Sequence, residues 1–118
     1  MSTRFDIGEL GHELAALAAR HDLKHVAVVV PLAPGTREMA FDAIAEGPPF
    51  DPREVGIDFH QVLLTDREAI FVFGLTAGVE TLERILASED LWSVVSWWER
   101  IAGGRPQVAH VAYEWRAA

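Results

Sequence analysis

Apolar and polar positions along this 118-residue chain change period several times, and the order of those changes predicts its elements. Residues 6–21 (DIGELGHELAALAARH) repeat at helical spacing, with Leu10, Leu14, Leu17 and Ala18 on one face. Asp6 and Glu9 have the spacing of a capping box. Residues 25–32 (HVAVVVPL) are almost wholly apolar, as in a strand covered on both faces. Pro34-Gly35-Thr36 breaks that strand, and Thr36 is placed to cap a helix running to about Glu46, which Gly47-Pro48 stops. Residues 47–56 (GPPFDPREVG) have three prolines and no period, which predicts a stiff, extended loop. Residues 56–74 (GIDFHQVLLTDREAIFVFG) read as a β-hairpin, two apolar strands joined at Thr65-Asp66-Arg67-Glu68. A helical region begins near Val79 and breaks at Ser88. Ser88 is placed to cap a second helix (SEDLWSVVSWWERIAGG), with Glu89 and Asp90 near its N-terminal dipole. Gly103-Gly104 and Pro106 end that helix, and residues 107–116 form the last strand.

After the first helix the order is β-α-β-β-α-β. It predicts an α+β, ferredoxin-like sandwich with a four-stranded antiparallel sheet in the order 4-1-3-2. One domain is expected over residues 1–118, with 6–21 an added helix and 24–116 the core. The first and third strands are the most apolar, as central strands should be. The outer ones carry the polar residues, Asp58, His60 and Gln61 in one, His110 and Glu114 in the other. Such a sheet has helices on one face. Both alternations of the hairpin are apolar, so the other face is also greasy and calls for a partner, most simply a second copy.

Composition narrows the partners. Ten basic and 18 acidic side chains give a formal net charge of −8, and the basic residues, nine Arg and Lys24, are scattered. No basic patch exists to neutralise phosphate, so nucleic acid is not an expected partner. There is no Cys, which removes disulfides, thiolate metal sites and cysteine nucleophiles and suits a reducing cytoplasm. The stretch MSTRFDIGELGHELAA has early charges and no long apolar core, and no run approaches the roughly 20 apolar residues of a membrane helix. A soluble, cytoplasmic protein is therefore expected.

The chain resembles the dimeric α+β barrel superfamily. The residues that carry the resemblance are VAVVVPLAPGTREMAFDAI, the hairpin FHQVLLTDREAIFVF and the terminal PQVAHVAYEW, together spanning about residues 24–116. It is a likeness of element order and texture. That superfamily includes antibiotic-biosynthesis-type monooxygenases, muconolactone-type isomerases, haem proteins, polyketide-pathway enzymes and stress-responsive proteins. The resemblance therefore implies a homodimer with an interior pocket and no single activity. Haem-degrading members rely on an Asn, Trp and His set, and this chain has no Asn. No cofactor is expected, and haem on a single His has no support in the sequence.

Candidate chemistry centres on His60 and His110. If Phe59 and Leu63 face the helices in their strand, and Ala109, Val111, Tyr113 and Trp115 in the last, then Asp58, His60, His110 and Glu114 face the barrel. His60 or His110 would be acid/base candidates, with Asp58 or Glu114 beside them as ligand-binding or orienting groups. The two histidines sit on opposite edges of one sheet, roughly 14 Å apart, so they share no metal within a subunit. The simpler reading makes them hydrogen-bonding residues of a dimer seam. Trp98 falls on the apolar stripe of its helix with Leu91, Val94, Val95 and Ile101, whereas Trp92 and Trp97 fall off it. These two are expected to pack under the first helix, to lie at an oligomer contact or to sit beside a ligand. Phe50, with Asp51 and Arg53, lies on a loop that enters the hairpin near His60 and is either a gate or a simple connector. There is no phosphate-binding glycine loop, no zinc pattern and no nucleophile elbow. The expected function is a homodimeric barrel holding a small apolar or aromatic ligand. The alternative is a cofactor-independent monooxygenase, isomerase or cyclase with a barrel-facing His as acid/base.

Overall fold

The computed structural model describes residues 7–20, 24–48 and 51–117. Asp6 and His21, the expected ends of the first helix, and Phe50 lie outside the described residues. The elements are α1 (Ile7–Arg20), β1 (His25–Pro31), α2 (Arg37–Ala45), a one-turn 3₁₀ helix (Pro52–Val55), β2 (Ile57–Leu64), β3 (Glu68–Leu75), α3 (Val79–Leu86), α4 (Glu89–Glu99) and β4 (Gln107–His110). The four strands form one sheet in the order β2-β3-β1-β4, which is 4-1-3-2 read from the other edge. All three pairings are antiparallel. The α+β, ferredoxin-like arrangement is thus the one the hydrophobic pattern predicts.

The hairpin closes as its composition requires. The Thr65 hydroxyl accepts from the backbone N–H groups of Arg67 (3.2 Å) and Glu68 (2.9 Å), and Thr65 N–H donates to the Glu68 carbonyl at 2.9 Å. A side-chain oxygen thereby stands in for a backbone acceptor in the turn.

The register settles which residues face the helices. Val26, Val28 and Val30 of β1 lie opposite Phe73, Phe71 and Ala69 of β3, and Val26 and Val30 are buried. Helices cover this side in two clusters. One joins Val30, Ala69 and Leu32 to Ala40 of α2, Trp98 of α4 and the following Ile101 and Ala102. The other joins Val26, Ile57 and Leu75 to Leu10, Leu14 and Leu17 of α1 and Ile85 of α3. The added helix therefore packs on its own sheet through the stripe read from its period, and Glu9 on it pairs with Arg105 just before β4.

Four local expectations are corrected. Thr36 occupies the N-cap of α2, but its hydroxyl donates backwards to the Ala33 carbonyl at 2.6 Å and caps no helical N–H. Ser88 precedes α4 without a side-chain cap. The helix expected to reach Gly104 ends at Glu99, because Ile101 and Ala102 are buried and Ala102 bridges to Leu32 at the end of β1. The proline loop carries a 3₁₀ turn, capped by Asp51 at its start and by left-handed Gly56 at its end. Pro at the first helical position and a Gly free to take φ of 85° are the signals for that turn.

The last strand is also shorter than expected. Only Gln107–His110 pair with β1, and residues 111–117 continue beyond the sheet.

Candidate functional site

The expected site residues divide between the two faces. His60 lies opposite Phe73, Phe73 opposite Val26, and Val26 opposite His110, so both histidines belong to one cross-strand row on the helix-covered side. The expectation that they face the barrel is thus corrected. For His110 the reason is the register of β4, which sets it opposite inward-facing Val26; for His60 it is a bulge. Ile57 pairs with Leu75 and is buried under the helices, but the register shifts before Phe59, which pairs with Gly74. Asp58 is the extra residue, and it turns the rest of β2 over. Phe59, Gln61 and Leu63 then face the open side. On β4, Gln107 and Ala109 face the same way, opposite Val29 and Ala27.

His60 is half-buried, and its ring stacks on Phe73 with centroids 4.7 Å apart and planes 15° apart. Its Nδ1 lies 3.0 Å from the Val72 carbonyl. A carbonyl only accepts, so Nδ1 carries the proton, and in the neutral ring Nε2 is left as an acceptor. His110 is exposed at the far edge, across β3 and β1, a separation of three strand spacings or roughly 14 Å. Among the described residues no group of three or more His, Asp or Glu side chains is placed to hold a metal.

The open face gathers a different set. Phe59, Gly74 and His25 form one row across β2, β3 and β1. The His25 and Phe59 rings meet edge to face at 6.2 Å, and His25 Nδ1 lies 4.0 Å from Glu114 Oε1. Glu114 also pairs with Arg116 at 2.9 Å. Asp58 leans over Gly74, where a Cβ would stand 2.3 Å from Asp58 Oδ1 and 2.8 Å from Phe59 Cβ. Glu114 therefore does stand near a histidine of the open face, but it is His25, and Asp58 lies over Gly74, the cross-strand neighbour of His25. Sequence reasoning missed His25 because it took this residue only as the start of an apolar strand. The signal lies in parity, since His25 alternates with Val26, the first inward valine of β1.

Gly74→Ala probes this close packing. The Asp58 carboxylate can swing away, but Phe59 Cβ is fixed to the edge-strand backbone. A loss of about 1–3 kcal/mol in urea unfolding is expected; an unchanged midpoint would show that the bulge relaxes freely.

The remaining candidates take no part in this cluster. Trp97 packs edge to face on Trp98 at 5.3 Å and belongs to the cluster under α2 and α4, not to the one that holds α1. The side chain of Trp92 lies outside the described residues, as does Phe50. Asp51 is occupied by its own turn, accepting from Arg53 N–H at 3.0 Å. That bond and the Arg53 guanidinium hold its carboxyl below the ordinary carboxylate range. Its contribution is present at neutral pH and fades as the pH falls through that lowered value, and screening by solvent keeps it small.

On the open face these polar residues stand at one end of an apolar surface. Phe59 and Leu63 of β2 are 46% and 45% exposed, and Ile70 and Val72 of β3 and Ala27 and Val29 of β1, beside them on the same face, are half-buried. The arrangement offers an aromatic ring, an imidazole and two carboxylates beside a greasy sheet. No helix among the described residues is long and apolar enough to cross a membrane.

No protein-family model matches the sequence, and no curated protein matches it significantly. Among solved structures, a protein from Chloroflexus aurantiacus J-10-fl, provisionally described as an antibiotic biosynthesis monooxygenase, superposes with a TM-score of 0.50. The match covers 78% of this chain and 97% of that one at 13% sequence identity. At that identity the likeness is one of fold.

Proposed function

We propose, starting from the ferredoxin-like fold of the α+β barrel proteins that this chain has, that it works as a homodimer holding a small apolar or aromatic ligand. The two open sheet faces pack across a twofold axis, and the ligand lies between them. The observation that supports this is the open face itself, an uncovered apolar sheet with Phe59 and Leu63 almost half exposed. Removing such a surface from water is favourable at roughly 25 cal/mol per Å², and a second identical face is the partner always at hand. The His25 end gives the ligand a polar anchor. An imidazole beside Phe59 can hydrogen-bond a phenolic or enolic oxygen while the ring stacks on the ligand's face.

A second reading follows from the same histidine. His25 is a barrel-facing His with a carboxylate 4.0 Å away. A cofactor-independent monooxygenase, isomerase or cyclase would use it to take a proton from an acidic O–H or C–H of the substrate, with Glu114 stabilising the imidazolium formed. The Chloroflexus protein of similar fold is itself described as a monooxygenase.

Native mass spectrometry of the purified protein tests the first reading. A dimer carrying an apolar or aromatic molecule is expected, and a stable monomer overturns it. His25→Gln should leave the dimer mass unchanged and weaken binding of 1-naphthol, a phenolic probe, about 10-fold. Unchanged affinity would remove His25 from both readings.

A further inference from the structure

Neighbours in a strand ordinarily face opposite sides of the sheet, so an acid and an aromatic ring adjacent in sequence do not share a face. The bulge of β2 makes an exception of Asp58 and Phe59 by setting both against the single residue Gly74. Asp58 Oδ1 stands 2.3 Å from where a Gly74 Cβ would be, so the carboxylate takes the place of a side chain that β3 lacks. Gly74 lies between Phe59 and His25 in its row, and those two rings meet edge to face at 6.2 Å. A carboxylate is thus set low on the open face between an aromatic ring and an imidazole. Glu114, the second carboxylate at this end, is held by Arg116 at 2.9 Å. Among the described residues no hydrogen bond or ion pair holds Asp58. With the imidazole counted as neutral, Asp58, Glu114 and Arg116 leave one negative charge in excess. An anion is therefore repelled here and a cation attracted. The Phe59 ring is 46% exposed, and an aromatic face draws a cation as well. Once a second sheet covers the face, an ionised carboxylate in an apolar layer is costly unless a cation enters with the ligand.

We infer that Asp58 is the specificity-determining residue of the site beside His25, and that the ligand is an amine, a protonated ammonium group on an apolar or aromatic body. The inference rests on the ligand reading proposed above and deepens it by naming the class. Asp58 accepts from the ammonium group, Phe59 flanks it, and the apolar strands take the body of the ligand. His25 is left for an oxygen of the ligand where it has one. A charged hydrogen bond of this kind discriminates more sharply than the apolar face, which accepts any body of suitable size.

Three probes with one naphthalene body separate the charges: 1-naphthylmethylamine, 1-naphthol and 1-naphthoate, titrated into the full chain at neutral pH and low salt and followed by calorimetry. The amine should bind about 10-fold more tightly than the naphthol, and the naphthoate should bind least. Asp58→Asn keeps the shape and removes the charge. Because Asp58 is exposed, the variant's circular dichroism should match the parent's. Its ratio of amine to naphthol affinity should fall about 10-fold. Glu46→Gln removes an exposed charge just after α2, far from the bulge in sequence, and should not move that ratio. If the naphthol binds and the amine binds no better, Asp58 does not select the ligand. The same holds if Asp58→Asn leaves the ratio as it was, or if Glu46→Gln lowers it equally. In each case the amine inference is overturned and the ligand reading stands. If none of the three probes binds, the ligand reading itself fails and takes the amine with it.

Discussion

Replacing Trp98 with alanine is expected to cost about 3–5 kcal/mol, more than any other single truncation of a side chain in this fold. Trp98 is 6% exposed and meets Phe71 of β3 edge to face, with centroids 4.9 Å apart. It meets Trp97 in the same way at 5.3 Å. Its cluster also holds Val30 and Leu32 at the end of β1, Ala40 of α2, and Ile101 and Ala102 after α4. One indole therefore joins α4, α2 and both central strands. Ala40, Ala69 and Ala102 around it are small and fixed to backbone, so they cannot fill the space it leaves. Urea unfolding followed by circular dichroism should show a large fall in midpoint for Trp98→Ala. Trp97→Ala should lose markedly less, because Trp97 is only half-buried. Equal losses would mean that the two indoles form one unit whose energy cannot be divided between them.

The sequence predicts these elements well where one period dominates. The α1 stripe of Leu10, Leu14 and Leu17, the apolar β1 and the Thr65 turn are legible because a single pattern runs through each. The break between α3 and α4 at Ser88 is legible for the same reason. The strand order follows from the element order and from the two most apolar strands taking the centre. The faces of the outer strands were not legible. In β2 both alternations are apolar, so hydrophobicity does not choose between them, and Ile57 and Phe59 look like neighbours on one side. The bulge at Asp58 separates them. Its sequence signal is weak, an Asp in a strand opposite a Gly, and it shows only when Gly74 is seen to lie where a Cβ would strike Asp58. A one-residue shift reverses everything after it, which moved His60 to the helix side and left His25 as the open-face histidine. In β4 the alternation of residues 107–116 is continuous, but the pairing with β1 runs only from Gln107 to His110, and alternation alone does not say where a ladder stops. A pattern reports what a segment is suited to, and a neighbour decides whether it is used.

Adjacent valines of β1 should separate folding from assembly. Val28→Asp places a carboxylate between Phe71 and Val108, on the side where both core clusters meet. The side chains that meet Val28 there are apolar, so a loss of about 3–5 kcal/mol and a chain largely unfolded at room temperature are expected. Val29→Asp places the same group one residue further on, between Ile70 and Gln107 on the open face. In the isolated subunit that carboxylate reaches water, and the chain's own stability should change by no more than about 1 kcal/mol. In a face-to-face dimer it would lie near its own symmetry mate in an apolar layer, where desolvation and like-charge repulsion act together. The dimer should then dissociate at least about 1000-fold more readily, giving a folded monomer in light scattering with an unchanged circular dichroism spectrum. Val29→Thr, nearly the same shape without the charge, should keep the dimer. A Val29→Asp protein that remains a dimer with parental affinity would mean that the open face is not the interface. The second copy would then have to sit on the sheet edges or the helices, and His25 and Glu114 would no longer face an enclosed space.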